Sequence, residues 1–295
     1  GYMYSGQKRA AKPPFYRNVF VRHPVNPVLP LGRDKVAALR LLEPCIVMGR
    51  GHSGTRLVAW LCHYLGVEMG TDPQTVPSGD PAEISFKHHQ RVVATHSLDV
   101  TSPEQVRTVD LTRFQKSVHG FCRRQGLGSA PWGWKFPETY LIGPYVERTF
   151  PRARYIHLMR DGRDVAFKRH LTDVPEHRLA RAILRRQRAM DLPHHVQAAL
   201  SWAFQVEHFA RFRMSIPSDR ILELRYETLV REPLRVTREI CHFLGLAMTS
   251  GARDFVDNGI SSVHAEVFRR EDANKVREVE AHIGDTLRRY GYLAE

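Results

Sequence analysis

Cysteine is scarce in this chain, with four in 295 residues, and none stands in a C-x-x-C pair. That argues against a disulfide framework and against a dithiol redox site. Cys45 and Cys241 sit in apolar segments, so the cysteines are read as reduced core residues. The 16 histidines form no H-E-x-x-H or other zinc-ligand spacing. No apolar run reaches the length of a membrane span. The opening stretch GYMYSGQKRAAKPPF has no apolar core of the kind a signal peptide needs. A cytoplasmic location is the expectation, although a luminal domain cut from its anchor would read the same.

Acidic residues are also in short supply. Lys and Arg number 44 against 31 Asp and Glu, a formal net charge of +13. Such a balance suits a polyanionic partner: nucleic acid, an anionic membrane, an acidic glycan or a phosphorylated cofactor. Much of the excess is scattered at helical spacing, as in RLARAILRRQRAM (Arg178 to Met190), and reads first as a solvated face. Charge alone does not choose among these partners.

Residues 1–40 are rich in proline and basic residues and are expected to form an N-terminal arm. Residues 41–295 read as one domain in which strands alternate with helices. The apolar run Cys45–Met48 and the segments Trp132–Pro137, Ala153–Arg160 and Arg220–Glu227 read as strands. Helices are expected near 54–65, 82–97, 103–124, 138–150, 181–190, 195–214, 233–245 and 271–290, with another directly after Arg160. Thr71–Pro81 reads as a loop from its Pro, Gly and Asp content. The alternation predicts an α/β fold with a mostly parallel central sheet flanked by helices. Ligands of such folds sit beyond the carboxyl ends of the strands.

Two expected strands end in basic turns. The first, in CIVMGRGHSGTRL, has the glycines of a phosphate-cradling loop but continues with Thr55 and Arg56, where nucleotide hydrolases place Lys and a magnesium-binding hydroxyl. Gly51 and Gly54 allow close backbone approach. Ser53 and Thr55 offer hydroxyls, and Arg50, His52 and Arg56 offer charge. Arg56 cannot ligate a metal, because guanidinium has no acceptor. The second turn, in YIHLMRDGRDVAFK, leaves Arg160 free for a ligand, with Lys168 about two helical turns on and Asp161 and Asp164 available as helix caps. Two anion sites on neighbouring strand ends suit a nucleotide phosphorylated at both ends of its ribose.

The pair of turns resembles the sulfotransferases that use 3′-phosphoadenosine 5′-phosphosulfate (PAPS). Their P-[KR]-S-G-T-x-[LW] loop is matched by Gly51-His52-Ser53-Gly54-Thr55-Arg56-Leu57, and their R-[DN]-P-[KR]-D-V-A-x-S segment by Arg160 to Lys168. LRYETLVREPLRVTREICHFLGL, WKFPE and LRRYGY resemble three further family segments, so the likeness runs over roughly 44–292. It departs in having His52 for the loop cation and Lys168 for a serine.

The resemblance implies a P-loop sulfotransferase fold related to nucleotide kinases. It implies transfer of a sulfuryl group from PAPS to an acceptor hydroxyl, release of adenosine 3′,5′-bisphosphate, and no metal requirement. It gives Gly51, Ser53, Gly54 and Thr55 the 5′ end of the cofactor. Arg160 and Lys168 take the 3′-phosphate, with Arg269 or Arg270 closing over it, and Tyr226 touches the adenine. Lys135 and His52 face the leaving oxygen. The general base is not fixed by the motifs; Asp80 and Glu83 in the loop near the anion site are the candidates, with His264 behind them. The acceptor is expected to be a glycan or small natural product more than a protein tyrosine, and no specific nucleic acid is expected as partner. Two rivals stand: a non-catalytic basic module binding nucleic acid or acidic polysaccharide, and a magnesium-dependent P-loop nucleoside kinase.

Overall fold

Cys45, Ile46, Val47 and Met48 are all buried, as an uninterrupted apolar run in the centre of a parallel sheet should be. The structure, a computed structural model, describes residues 30–69, 84–126 and 131–294. In chain order its main elements are α1 (Arg33–Arg40), β1 (Cys45–Met48), α2 (Thr55–Tyr64), α3 (Ile84–His96), α4 (Thr108–Gln125), β2 (Gly133–Lys135), α5 (Gly143–Thr149) and β3 (Arg154–Met159). There follow α6 (Gly162–Ala166), α7 (Arg178–Arg186), α8 (His194–Arg213), β4 (Ile221–Arg225), α9 (Tyr226–Arg231), α10 (Pro233–Leu244), α11 (Ser250–Gly259) and α12 (Ala273–Arg289).

The four strands form one parallel sheet in the order β2-β1-β3-β4. Phe86, Phe114, Phe121 and Trp134 fill the layer between the sheet and α3, α4 and α5. Val58, Leu61, Ile156, Leu229 and Ile240 fill the other face under α2 and α10. A third cluster, with Val165, Trp202 and Ile283, joins α6, α8 and α12 beside the end of β3. With every strand pointing the same way, the segments after Met48, Lys135, Met159 and Arg225 emerge on one side.

Several elements differ from their sequence expectation. The expected helix over 103–124 is interrupted. Ser102 and Gln105 close a capping box around a 3-10 turn at Pro103–Gln105, and Val106 and Arg107 are extended before α4 begins. The expected helix over 138–150 starts as a 3-10 segment, Pro137–Ile142, before α5. The helix after Arg160 is short: α6 ends at Ala166, so Lys168 lies in the turn beyond it. At the other boundary Arg33–Arg40, inside the expected arm, is helical, and Leu39 enters the core. All four cysteines are unpaired and buried. Among the described residues no helix is long and apolar enough to cross a membrane.

Candidate functional site

A cleft of about 940 Å³ opens at the carboxyl side of the sheet. The turn between β1 and α2 forms its floor. Gly51 packs so closely beneath His170 that a Cβ there would lie 2.1 Å from the imidazole. Gly54 has φ 90°, and a Cβ on it would come 2.4 Å from the Tyr226 ring. Position 54 therefore needs glycine for this loop to close, and a side chain at position 51 would force the His170 ring to move. His52 sits between them with φ 68°, an uncommon conformation for a residue with a Cβ.

The loop fits an anionic ligand. The α2 N-cap, Gly54, has no side-chain partner, and the first turn of α2 holds no acidic residue. Its leading N–H groups and dipole thus face the cleft without a protein anion to meet them. Ser53 is buried, and its Oγ has no hydrogen-bond partner. An orphaned buried hydroxyl beside a helix N-terminus is a donor awaiting an acceptor. Thr55 and exposed Arg56 line the cleft, while Ser53 lies buried in the loop that forms it.

Arg50 turns away from this space. It is 2% exposed, pairs with buried Asp173 through Nη2 and donates from Nη1 to the Gly51 carbonyl at 2.8 Å. It braces the loop from beneath. Asp173 is held in turn by the His170 N–H at 2.8 Å and His194 Nε2 at 3.3 Å.

Arg160, at the end of β3, is not a free cation. Its Nε and Nη2 donate to Asp164 Oδ2 at 3.1 and 2.9 Å, and Nη1 donates to the His52 carbonyl at 3.0 Å. Nη2 also reaches the His264 carbonyl. The guanidinium lies 4.3 Å from the centroid of the Tyr226 ring. Only one of the two expected carboxylates caps α6: Asp161 accepts from the Arg163 N–H at 2.9 Å. Asp164 instead accepts from the Glu266 and Phe268 N–H groups, both at 3.0 Å, and so docks the 262–270 segment onto the turn.

Lys135, at the end of β2, is buried and faces the cleft, and Lys168 and His264 line it as well. Tyr226 does so from the junction of β4 and α9. Arg269 and Arg270 are exposed and lie outside the cleft lining, Arg269 with Nη2 3.3 Å from Glu266. Asp80 and Glu83 lie outside the described residues.

Some cleft residues carried no role in the sequence reading. Glu138 is buried on the cleft wall, and His170 Nε2 lies 3.2 Å from its Oε1. The His170 Nδ1 is 2.9 Å from the Thr172 hydroxyl. Burial, then the charge of Arg50, pushes the His170 pKa well below the ordinary histidine value, so this ring is neutral near pH 7. Glu138 sits inside the WKFPE stretch, which is the one signal that could have found it. Trp60, Tyr64 and Phe255 form an apolar wall, with Trp60 and Tyr64 stacked at 5.5 Å. Nothing in the local sequence brings Phe255 to the other two.

His52 Nε2 lies 3.0 Å from the Arg169 carbonyl. Partial burial lowers its pKa, and Arg50 and Lys168 push the same way, against that carbonyl. The ligand-free ring is neutral at pH 7.

Residues 44–250 match the sulfotransferase family. The chain belongs to that family. Among solved structures, the sulfotransferase domain from the curacin biosynthetic pathway is similar with a TM-score of 0.50 and 13% identity, over 83% of this chain and 98% of that one. Sulfotransferase STF9 from Mycobacterium avium is similar with a TM-score of 0.52 and 13% identity, over 86% of this chain and 78% of that one. At such identities the likeness is one of fold. No match was found among the curated proteins. The α/β architecture and parallel sheet of this sulfotransferase therefore agree with the expectation from its sequence.

Proposed function

We propose that this sulfotransferase takes its sulfuryl group from PAPS and transfers it to an acceptor hydroxyl by in-line displacement. One observation carries the reading: the two basic turns, on neighbouring strands, open into one cleft and are joined through Arg160 and the His52 carbonyl. The donor would supply an activated S–O bond, which breaks to adenosine 3′,5′-bisphosphate as the acceptor O–S bond forms.

The residues divide the work by position. Gly51, Ser53, Gly54 and Thr55 receive the 5′ end, with the orphaned Ser53 hydroxyl as one donor. Arg160 and Lys168 receive the 3′-phosphate, and Tyr226 meets the adenine. Lys135 and His52 stabilise the negative charge that develops on the leaving oxygen. Arg50 supports the loop from its pair with Asp173 rather than touching the ligand. Arg269 and Arg270, outside the cleft, have no part in this assignment. The acceptor proton goes to a carboxylate: Asp80 or Glu83, or Glu138, which alone among the described acidic residues lines the cleft.

The test is thermal stabilisation. Adenosine 3′,5′-bisphosphate at a hundredfold excess over its Kd should stabilise the protein by about 2.7 kcal/mol without magnesium. ATP should do so much less. Stabilisation by magnesium-ATP alone would move the reading to a kinase. Salt-sensitive binding of polyanions with no response to the bisphosphate would move it to a basic binding module.

A further inference from the structure

The cleft holds more positive charge than the proposed donor uses. Among the described residues its lining includes Arg56, Lys87, Arg91, Lys135, Arg160 and Lys168, against the single carboxylate of Glu138. The nucleotide, if it follows the two basic turns, lies over the ends of β1, β3 and β4. Arg56, Arg160 and Lys168 lie on that side, and Lys135, at the end of β2, is already assigned to the leaving oxygen. Lys87 and Arg91 lie elsewhere: they project from α3, which packs over the 137–142 segment following β2, the edge strand on the opposite side.

Their placement is specific. Lys87 and Arg91 stand one turn apart on α3 and so share a face. The neighbouring stripe, Phe86, Gln90, Val93 and Ala94, is buried and fixes the helix rotation. The Arg91 guanidinium lies 5.2 Å from the centroid of the Phe136 ring, which holds it at the cleft wall. Its Nε is buried and makes no hydrogen bond. A half-desolvated guanidinium with an unused donor is completed by an oxyanion, which it can meet in a planar fork.

We propose that the acceptor carries, besides the hydroxyl it offers, an anionic oxyacid group, carboxylate or sulfate ester, which Arg91 binds with Lys87 on the β2 side of the cleft. This rests on the PAPS reading above, because that reading assigns the other side to the nucleotide. An acceptor held this way brings its hydroxyl towards Lys135, the last residue of β2, and Glu138, three residues further on.

The experiment uses the full chain saturated with adenosine 3′,5′-bisphosphate. Matched probes are titrated by calorimetry and saturation-transfer NMR: methyl glucuronide against methyl glucoside, 4-hydroxyphenylacetate against 4-hydroxybenzyl alcohol, and N-acetylglucosamine 6-sulfate against N-acetylglucosamine. At least one acid should bind tenfold or more tightly than its neutral partner. The first two pairs report a carboxylate, and the third a sulfate. Arg91→Gln should abolish that preference and Arg91→Lys should retain part of it, with bisphosphate affinity unchanged in both. Arg185→Gln, at an exposed position of α7, should change nothing.

Four results would overturn the proposal: no acid preferred in any pair, a preference that survives Arg91→Gln, one that disappears with Arg185→Gln, or acids that bind only when the bisphosphate is absent. Failure of the donor reading is separate, since it appears as no stabilisation of the wild type by the bisphosphate.

Discussion

Arg160 donates from Nη1 to the backbone carbonyl of His52, 3.0 Å away, and so ties the turn after β3 to the turn after β1. The same guanidinium is paired with Asp164 in a setting where neither side chain is more than 5% exposed. It therefore shapes the site as well as offering charge to it. Arg160→Ala should weaken bisphosphate binding by about 2–3 kcal/mol, as for loss of a charge-assisted donor. It should also destabilise the fold by about 3 kcal/mol, because Asp164 is left buried without its cation. Adding Asp164→Asn should recover part of the stability and none of the affinity. Urea unfolding and calorimetry separate the two effects; a single variant of normal stability would show that the pair is not what holds the turn.

Gly54 and Tyr226 occupy one volume between them. Gly54→Ala places a methyl group 2.4 Å from the Tyr226 ring and puts a Cβ at φ 90°. The expected loss is about 1–3 kcal/mol in urea unfolding. Much of the steric part should vanish in a Tyr226→Ala background, so the two changes should be less than additive. Full additivity would leave backbone strain as the whole cause.

His52 should make nucleotide binding depend on pH. Its pKa in the ligand-free site lies below the ordinary histidine value, chiefly through burial. A bound polyanion raises it, so binding takes up a proton and affinity strengthens as pH falls from about 8 to about 6. His52→Arg carries a permanent cation. Its affinity advantage over wild type should be about tenfold near pH 8 and should shrink towards pH 6. Comparing the two proteins cancels the titration of the ligand's own phosphates. A constant ratio across that range would remove His52 from the binding charge.

Two histidines in the core should limit acid stability. Burial lowers His157 to a pKa of about 3 and His208, with Arg211 adding to the effect, to about 4. Both are neutral when folded and protonate near 6.5 when unfolded. Stability is therefore full above pH ~6.5 and falls as the pH drops towards these folded values, by on the order of 3 kcal/mol for each ring. His157 stacks on Phe209 with ring centroids 3.8 Å apart, so His157→Phe keeps an aromatic ring in place. That variant should lose less stability than wild type between pH about 7 and about 4.5 in urea titrations. Equal acid sensitivity would exonerate His157.

The sequence by itself determined the strands, their alternation with helices and the two basic turns, because these are local patterns. A short apolar run such as Cys45–Met48 can only be a buried segment, and a glycine turn with Ser53 and Thr55 after it exposes backbone donors. The tertiary structure decided which charges face the ligand. Arg50 and Arg56 are equivalent in sequence, yet one is buried against Asp173, more than a hundred residues away, and the other is exposed at the cleft. Glu138, Arg91 and Phe255 reach the cleft from different layers, and no spacing within one segment encodes that meeting. Nor did the motif foretell that α6 would stop at Ala166 and leave Lys168 in a turn. Side-chain direction at a strand end depends on what the neighbouring layers leave unpaired, and only the packed fold settles that balance.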